Sequence, residues 1–162
     1  MLFSMKITSG YLLAKALLVA ITAEVIGSVI TTSSVGTWYV ALVKPALIPP
    51  GYVFGIVWGV LYVLIGLSLY VVWIAKKNKK KEKAVWIFYI QLALNVLWSA
   101  AFFGLRSPLL GLLVILFLLG SLIYTIFLFY KISKTAAYLL VPYLLWGFFA
   151  TYLNWGVYLL NR

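Results

Sequence analysis

Long apolar runs, separated by short polar breaks, dominate the chain. Roughly residues 11–32, 50–74, 84–105, 109–130 and 136–160 are each long and apolar enough to span a bilayer. A helix needs about 20 such residues to cross about 30 Å of hydrocarbon. The breaks are Ser33 to Pro49, the run Lys76 to Lys83, Arg106-Ser107-Pro108, and Lys131 to Thr135. None has room for an extramembrane domain. The runs are continuous rather than alternating, which speaks against a β-barrel. The expected fold is an all-α membrane protein: a bundle of five transmembrane helices forming a single domain over 1–162.

Local chemistry supports these boundaries. Pro49-Pro50 suits a helix start, since proline is tolerated in the first turn. Ser107 before Pro108 is an N-cap for the fourth span. Pro142 falls inside the fifth and predicts a kink. Lys6 ahead of an apolar run resembles a signal peptide, but the run exceeds an ordinary h-region, so it reads as an uncleaved first span.

Composition adds exclusions. The chain is 66% apolar and only 9% charged, with mean hydropathy +1.14. Soluble domains are about 45–50% apolar and about 25% charged, so a soluble enzyme is ruled out. Thirteen Lys and Arg face two acids, for a net charge of +11. These cations crowd into one short run rather than covering a face, so nucleic acid is not the expected partner. Instead they orient the chain. Nine lie in breaks on the N-terminal side and three (Lys44, Arg106, Arg162) on the other. The expected setting is a prokaryotic cell membrane with the N-terminus cytoplasmic. The lysine run also fits a lipid-headgroup switch, with a topology anchor as the plainer reading. Cys and His are both absent, which removes thiol and triad chemistry and the usual metal ligands. No metal site is expected.

The 18% aromatic content divides in two. Tyr11, Trp73, Trp86, Tyr130, Tyr138, Trp155 and Tyr158 sit near span ends, as interfacial belts do. Trp58, Trp98 and Trp146 lie about 10–20 Å inside their spans, at about 1.5 Å per residue. Phe54, Trp58 and Tyr62 share a helical stripe. So do Asn95, Trp98, Ser99 and Phe102, and so do Trp146, Phe149, Ala150 and Asn154. The Asn95 and Asn154 amides need partners that lipid does not offer. An aromatic pocket with a few polar donors fits the pattern, suited to a flat, mostly apolar ligand. Helix packing with Asn as glue fits it equally. Ala100 and Gly104 form a small-xxx-small step that permits close helix contact or dimerisation.

Glu24 is the one acid inside a span, and an intramembrane carboxylate marks a candidate functional group. Lys15 is badly placed to pair with it. Ala23-Glu24-Val25-Ile26-Gly27-Ser28 resembles, over six residues, the first helix of small multidrug resistance exporters. The competing reading is a satisfied, interior-facing acid.

A longer resemblance begins at the first loop. Trp38-Tyr39-x-x-Leu42-x-Lys44-Pro45-x-x-x-Pro49-Pro50, then Phe54-x-x-x-Trp58-x-x-Leu61-Tyr62, resembles the signature of the TspO/MBR family. These are the translocator or tryptophan-rich sensory proteins. Ala93-Leu94-Asn95-x-x-Trp98-Ser99-x-x-Phe102-Phe103 is similar to the family's third-helix motif. Pro142-Tyr143-Leu144-x-Trp146-x-x-Phe149-Ala150-Thr151-x-Leu153-Asn154 is similar to its fifth. Gly27-Ser28 and Thr31 fit the first helix, so the likeness covers residues 20–160 in order.

The resemblance implies a five-helix bundle, usually a homodimer, that binds porphyrins such as protoporphyrin IX and requires no cofactor. Animal members also bind cholesterol and benzodiazepine-type drugs. Carried over, Trp38 and Tyr39 belong to a lid loop, and Phe54, Trp58, Asn95, Trp98, Trp146 and Ala150 line the pocket. Some bacterial members degrade porphyrin in light, which makes Trp58, with Trp146 nearby, the catalytic candidates. Residues 109–130 lack the acid that many members carry in the fourth helix, so no role attaches to it here. Trp155 stands where the animal cholesterol motif has tyrosine, and sterol is not the expected natural ligand.

Three functions follow. The first is porphyrin binding for handling, transport or stress sensing, with Lys44 or Arg106 pairing the propionates, unless both merely snorkel to headgroups. The second is light-dependent porphyrin degradation, with reactivity supplied by the ligand. The third is proton-coupled export of small molecules through Glu24.

Overall fold

A computed structural model of the chain describes residues 2–76 and 79–162. Met1, Lys77 and Asn78 lie outside the described residues, as do the side chains of residues 2–8 and of Lys79. The charge bias attributed to Lys6, Lys77 and Lys79 therefore falls outside the described side chains.

Five helical segments are long and apolar enough to cross a membrane, and no strand occurs among the described residues. The elements are α1 (Leu2–Val35), α2 (Trp38–Ala41), α3 (Gly51–Ile74), α4 (Lys79–Ser99), a π-helical turn (Ala100–Gly104), α5 (Pro108–Tyr130), α6 (Lys134–Leu139) and α7 (Val141–Leu160). The first helix starts earlier than its apolar run, because nothing in residues 2–10 breaks a helix. The fifth span is interrupted at Leu140, which caps α6 and places Pro142 in the first turn of α7. The interruption thus precedes the proline, which has no N–H to donate to the carbonyl four residues back and is tolerated in the first turn of a new helix.

Caps set several ends. Ser107 Oγ accepts from the Leu110 N–H at 3.3 Å, and Ser133 Oγ from the Ala136 N–H at 3.4 Å. Lys81 Nζ donates to the Trp73 and Ala75 carbonyls at 2.7 and 3.0 Å. Those oxygens lie at the end of α3, where carbonyls otherwise lack partners. One lysine of the run is thus a helix cap as well as a charge.

Packing runs in a ring: α1 against α3 and α4, α4 against α5, α5 against α6 and α7, and α6 back against α3. Phe88 of α4 stacks on Phe129 of α5, with centroids 5.7 Å apart and planes 10° apart. Leu18, Val25, Val29, Ile56, Leu116, Phe117, Leu145 and Phe148 point outward, an apolar rim that suits lipid. The chain is a multi-pass membrane protein.

The α1–α3 contact is tight at one level and open at another. At Gly66 a Cβ would meet Leu17 Cδ2 at 2.9 Å, Leu17 Cα at 3.0 Å and the Ala16 carbonyl at 3.3 Å. Toward the Trp38 end of the bundle, Gly51, Gly55 and Gly59 have nothing within 4 Å of a Cβ. The two helices part there and leave space between them.

The π-helical turn shapes the same end. The Leu105 N–H bonds to the Ala100 carbonyl at 2.8 Å, a five-residue step that resets the helical face. Both Phe102 and Phe103 are buried there. The Phe103 carbonyl accepts from Ser34 Oγ at 2.8 Å, tying α1 to the turn. A Cβ on Gly104 would lie 3.4 Å from Ile30 Cγ2, so the small-residue step serves contact with α1. Arg106 follows with φ 52°, a left-handed conformation uncommon outside glycine.

Candidate functional site

Where α1 and α3 diverge, a cavity of about 520 Å³ opens, with walls from α1, α3, α4 with its π turn, and α7. Its size falls within the range of about 300–1,000 Å³ usual for small-molecule sites. It extends from the Trp38 end down to Tyr62, eleven residues into α3 and so about 16 Å deep at about 1.5 Å per residue. No wall residue comes from α5.

Two aromatic stripes read from the sequence meet in this cavity. Phe54, Trp58 and Tyr62 form the α3 wall, and Asn95, Trp98, Ser99 and Phe102 the α4 wall. Trp58 lies against Tyr62 at 5.6 Å and edge-on to Tyr143 at 6.1 Å between centroids. Trp98 stacks on Phe102 at 5.7 Å. The third stripe divides. Ala150 and Asn154 reach the wall, while Trp146 and Phe149 do not. Eight residues at about 100° each carry Trp146 about 80° around the helix from Asn154. There it backs Phe54, edge-on at 5.7 Å.

Both candidate asparagines act as glue and as wall. Asn95 Oδ1 accepts from Tyr62 Oη, and Asn95 Nδ2 donates to Tyr143 Oη, each at 2.7 Å. This chain joins α3, α4 and α7. Asn154 Oδ1 accepts from Trp98 Nε1 at 3.1 Å, while its Nδ2 donates to the Pro108 carbonyl at 2.7 Å. Gly111 permits that approach, since a Cβ there would meet Asn154 Oδ1 and Phe102 Cδ2 at 2.9 Å. The two readings of these amides, packing and pocket, are compatible.

The loop after α1 covers the mouth. Tyr39 and Lys44 line the cavity, whereas Trp38 stands behind it, edge-on to Phe102 at 5.6 Å. Burial pushes the Tyr39 phenol up, so it stays protonated at neutral pH. Lys44 Nζ donates to the Val40 and Leu42 carbonyls at 3.0 and 3.1 Å and lies 5.1 Å from the Tyr39 ring centre. Two of its three protons hold the loop, leaving one for a ligand. Arg106 is exposed and does not line the cavity. The end of α7 pins the loop. The Val43 N–H donates to Asn161 Oδ1, and Asn161 Nδ2 donates to the Val43 carbonyl, both at 2.9 Å. Gly156 leaves room for Pro45, whose Cβ would lie 2.9 Å from a Cβ there.

Of the residues expected to form the site, Tyr39, Phe54, Trp58, Asn95, Trp98 and Ala150 converge, and Trp38 and Trp146 stand one layer back. Tyr62 and Asn154 also line the cavity, and both already lay on the stripes. Tyr143, fully buried behind the wall, was visible only as a motif member. Glu24 lines the cavity with Ser28 and Thr31, at helical spacing on α1. Among the described residues no His/Cys/Asp/Glu cluster could hold a metal ion.

Comparison with known proteins agrees with this architecture. Residues 16–160 match the TspO/MBR family. A tryptophan-rich protein TspO of Archaeoglobus fulgidus is 48% identical over 136 residues, covering 83% of this chain and 87% of that protein. The translocator protein of Homo sapiens is 41% identical over 124 residues, 75% of this chain and 73% of its own. Protein CrtK of Rhodobacter capsulatus is 35% identical over 129 residues, 79% and 81% respectively. With a match across nearly the whole chain and the motif residues gathered around one cavity, the protein belongs to the TspO/MBR family.

Proposed function

We propose that the protein binds tetrapyrroles such as protoporphyrin IX inside the membrane, for porphyrin handling, transport or stress sensing. The observation that carries this reading is the cavity: aromatic walls, few polar groups, and one cation, Lys44, at its mouth. A porphyrin is flat and largely apolar and carries two carboxylates on one edge. Its ring suits the faces of Trp58, Trp98 and Phe54, and its propionates suit the free proton of Lys44. In this reading the chain sits in a prokaryotic cell membrane as a homodimer. Its N-terminus faces the cytoplasm, as the lysine bias favours.

Protoporphyrin IX added to the purified protein should quench its tryptophan fluorescence saturably. Trp58→Phe and Asn95→Ala should each weaken binding about five- to tenfold, the order of one lost polar contact of about 1–1.4 kcal/mol. Affinity unchanged in both variants would reject the site.

Light-driven degradation of the bound porphyrin is a second reading, favoured by Trp58 standing in the wall itself. Illumination would then consume excess porphyrin with turnover, and Trp58→Phe would stop it. A single-turnover bleach equal to that of free porphyrin would exclude it.

A further inference from the structure

We infer that Glu24 sets the ligand specificity of this cavity: it receives a basic nitrogen on the inner edge of a flat aromatic ligand and turns a carboxylate away from that edge. The inference rests on the cavity being the binding site for flat ligands. Glu24 lines it, and among the described residues no hydrogen bond or ion pair reaches its carboxyl. Lys15 is engaged elsewhere, its ammonium 5.7 Å from the centre of the Trp73 ring. The other acid, Glu82, lies in the first turn of α4, at the opposite end of the bundle. Thr31, one of the nearby hydroxyls on α1, spends its proton on the Gly27 carbonyl at 2.8 Å. A carboxyl oxygen accepts from an N–H in either protonation state, so Glu24 is an unspent acceptor facing the ligand space.

The positive group is at the other end. Glu24 stands eleven residues before the end of α1 at Val35, about 16 Å along the axis, while Lys44 follows in the loop. The cavity is therefore polarised along its length, acid inside and cation at the mouth. In a site with little water, like charges brought together are costly and opposite ones favourable. A porphyrin with two propionates enters with that edge toward Lys44. A flat ligand with an amine gains a charge-assisted hydrogen bond at Glu24.

Three porphyrins sharing one ring test this in neutral detergent: protoporphyrin IX, its dimethyl ester, and an analogue with aminoalkyl side chains. In Glu24→Gln the ratio of amine Kd to ester Kd should rise about tenfold, the size expected of one charged contact, while the ratio of protoporphyrin IX to ester should change much less, because the propionates lie at the Lys44 end. Glu24→Asp should keep the wild-type order. An amine-to-ester ratio within twofold of wild type in Glu24→Gln, with protoporphyrin IX still binding saturably, would overturn the inference. The wild-type protein alone supplies a second readout: the amine should bind more tightly than the ester, and equal or weaker binding would also overturn it. Failure of wild type to bind protoporphyrin IX at all would reject the tetrapyrrole reading instead.

Discussion

Gly66→Val should lower the stability of the bundle by about 3 kcal/mol, at the upper end of overpacking costs. The substituent would meet the backbone of α1, with Leu17 Cα at 3.0 Å and the Ala16 carbonyl at 3.3 Å from the new Cβ. Backbone cannot swing aside as a side chain can, so α1 and α3 would have to separate where they cross most closely. The gain in helix propensity on replacing glycine is about 0.5–1 kcal/mol relative to alanine and does not offset this. Gly147 makes a useful contrast. Its Cβ would come within 2.8 Å of a single atom, Leu119 Cδ2, the far end of a flexible side chain. Gly147→Ala should therefore cost much less than Gly66→Val. Unfolding midpoints in detergent measure both, and an unchanged midpoint in Gly66→Val would refute the close crossing.

Asn95→Leu is the second large expectation. It removes the partner of two buried hydroxyls at once, those of Tyr62 and Tyr143. Tyr143 is 0% and Tyr62 4% exposed, so water has little access to replace the lost bonds. An unsatisfied buried hydroxyl costs about 1–3 kcal/mol, while interhelical hydrogen bonds in membranes average about 0.6 kcal/mol. The pair should therefore lose about 2–6 kcal/mol if stranded polarity dominates, and about 1 kcal/mol if only the bonds count. The triple variant Asn95→Leu, Tyr62→Phe, Tyr143→Phe separates these cases. It should be more stable than Asn95→Leu alone, because it removes the stranded hydroxyls as well. A triple variant no better than the single would show that those hydroxyls find other partners.

The spans were legible because hydropathy alone encodes them: each apolar run became a helical segment long and apolar enough to cross a membrane, the fifth broken at Leu140. The α3 and α4 walls were legible for a second reason. Phe54, Trp58 and Tyr62, and likewise Asn95, Trp98 and Phe102, keep one face of a helix over only two turns. Trp146 stands one layer back because a stripe spanning eight positions drifts about 80° around the helix, and a shared stripe does not say which edge reaches a void. The π turn was not legible. Nothing in Ala100-Ala101-Phe102-Phe103-Gly104 forbids an ordinary helix, and the choice depends on burying both phenylalanines and on Ser34 reaching the Phe103 carbonyl. Glu24 was visible as an oddity, but its orientation depends on how α1 and α3 part beyond Gly66, which is a property of the pair. The loop seat of Pro45 on Gly156 joins residues more than a hundred positions apart, beyond any local pattern.

The central claim is that this one cavity holds the tetrapyrrole, and filling it is the most direct test. Gly55 lines the cavity, and a Cβ placed there meets nothing within 4 Å. Gly55→Phe should therefore occupy ligand space and leave the helix contacts intact. Titration followed by the Soret band of protoporphyrin IX should show saturable binding to wild type. In Gly55→Phe, at an unchanged unfolding midpoint, affinity should fall at least about tenfold, a loss of about 1.4 kcal/mol. Equal, saturable binding to both proteins would place the porphyrin elsewhere and contradict the account.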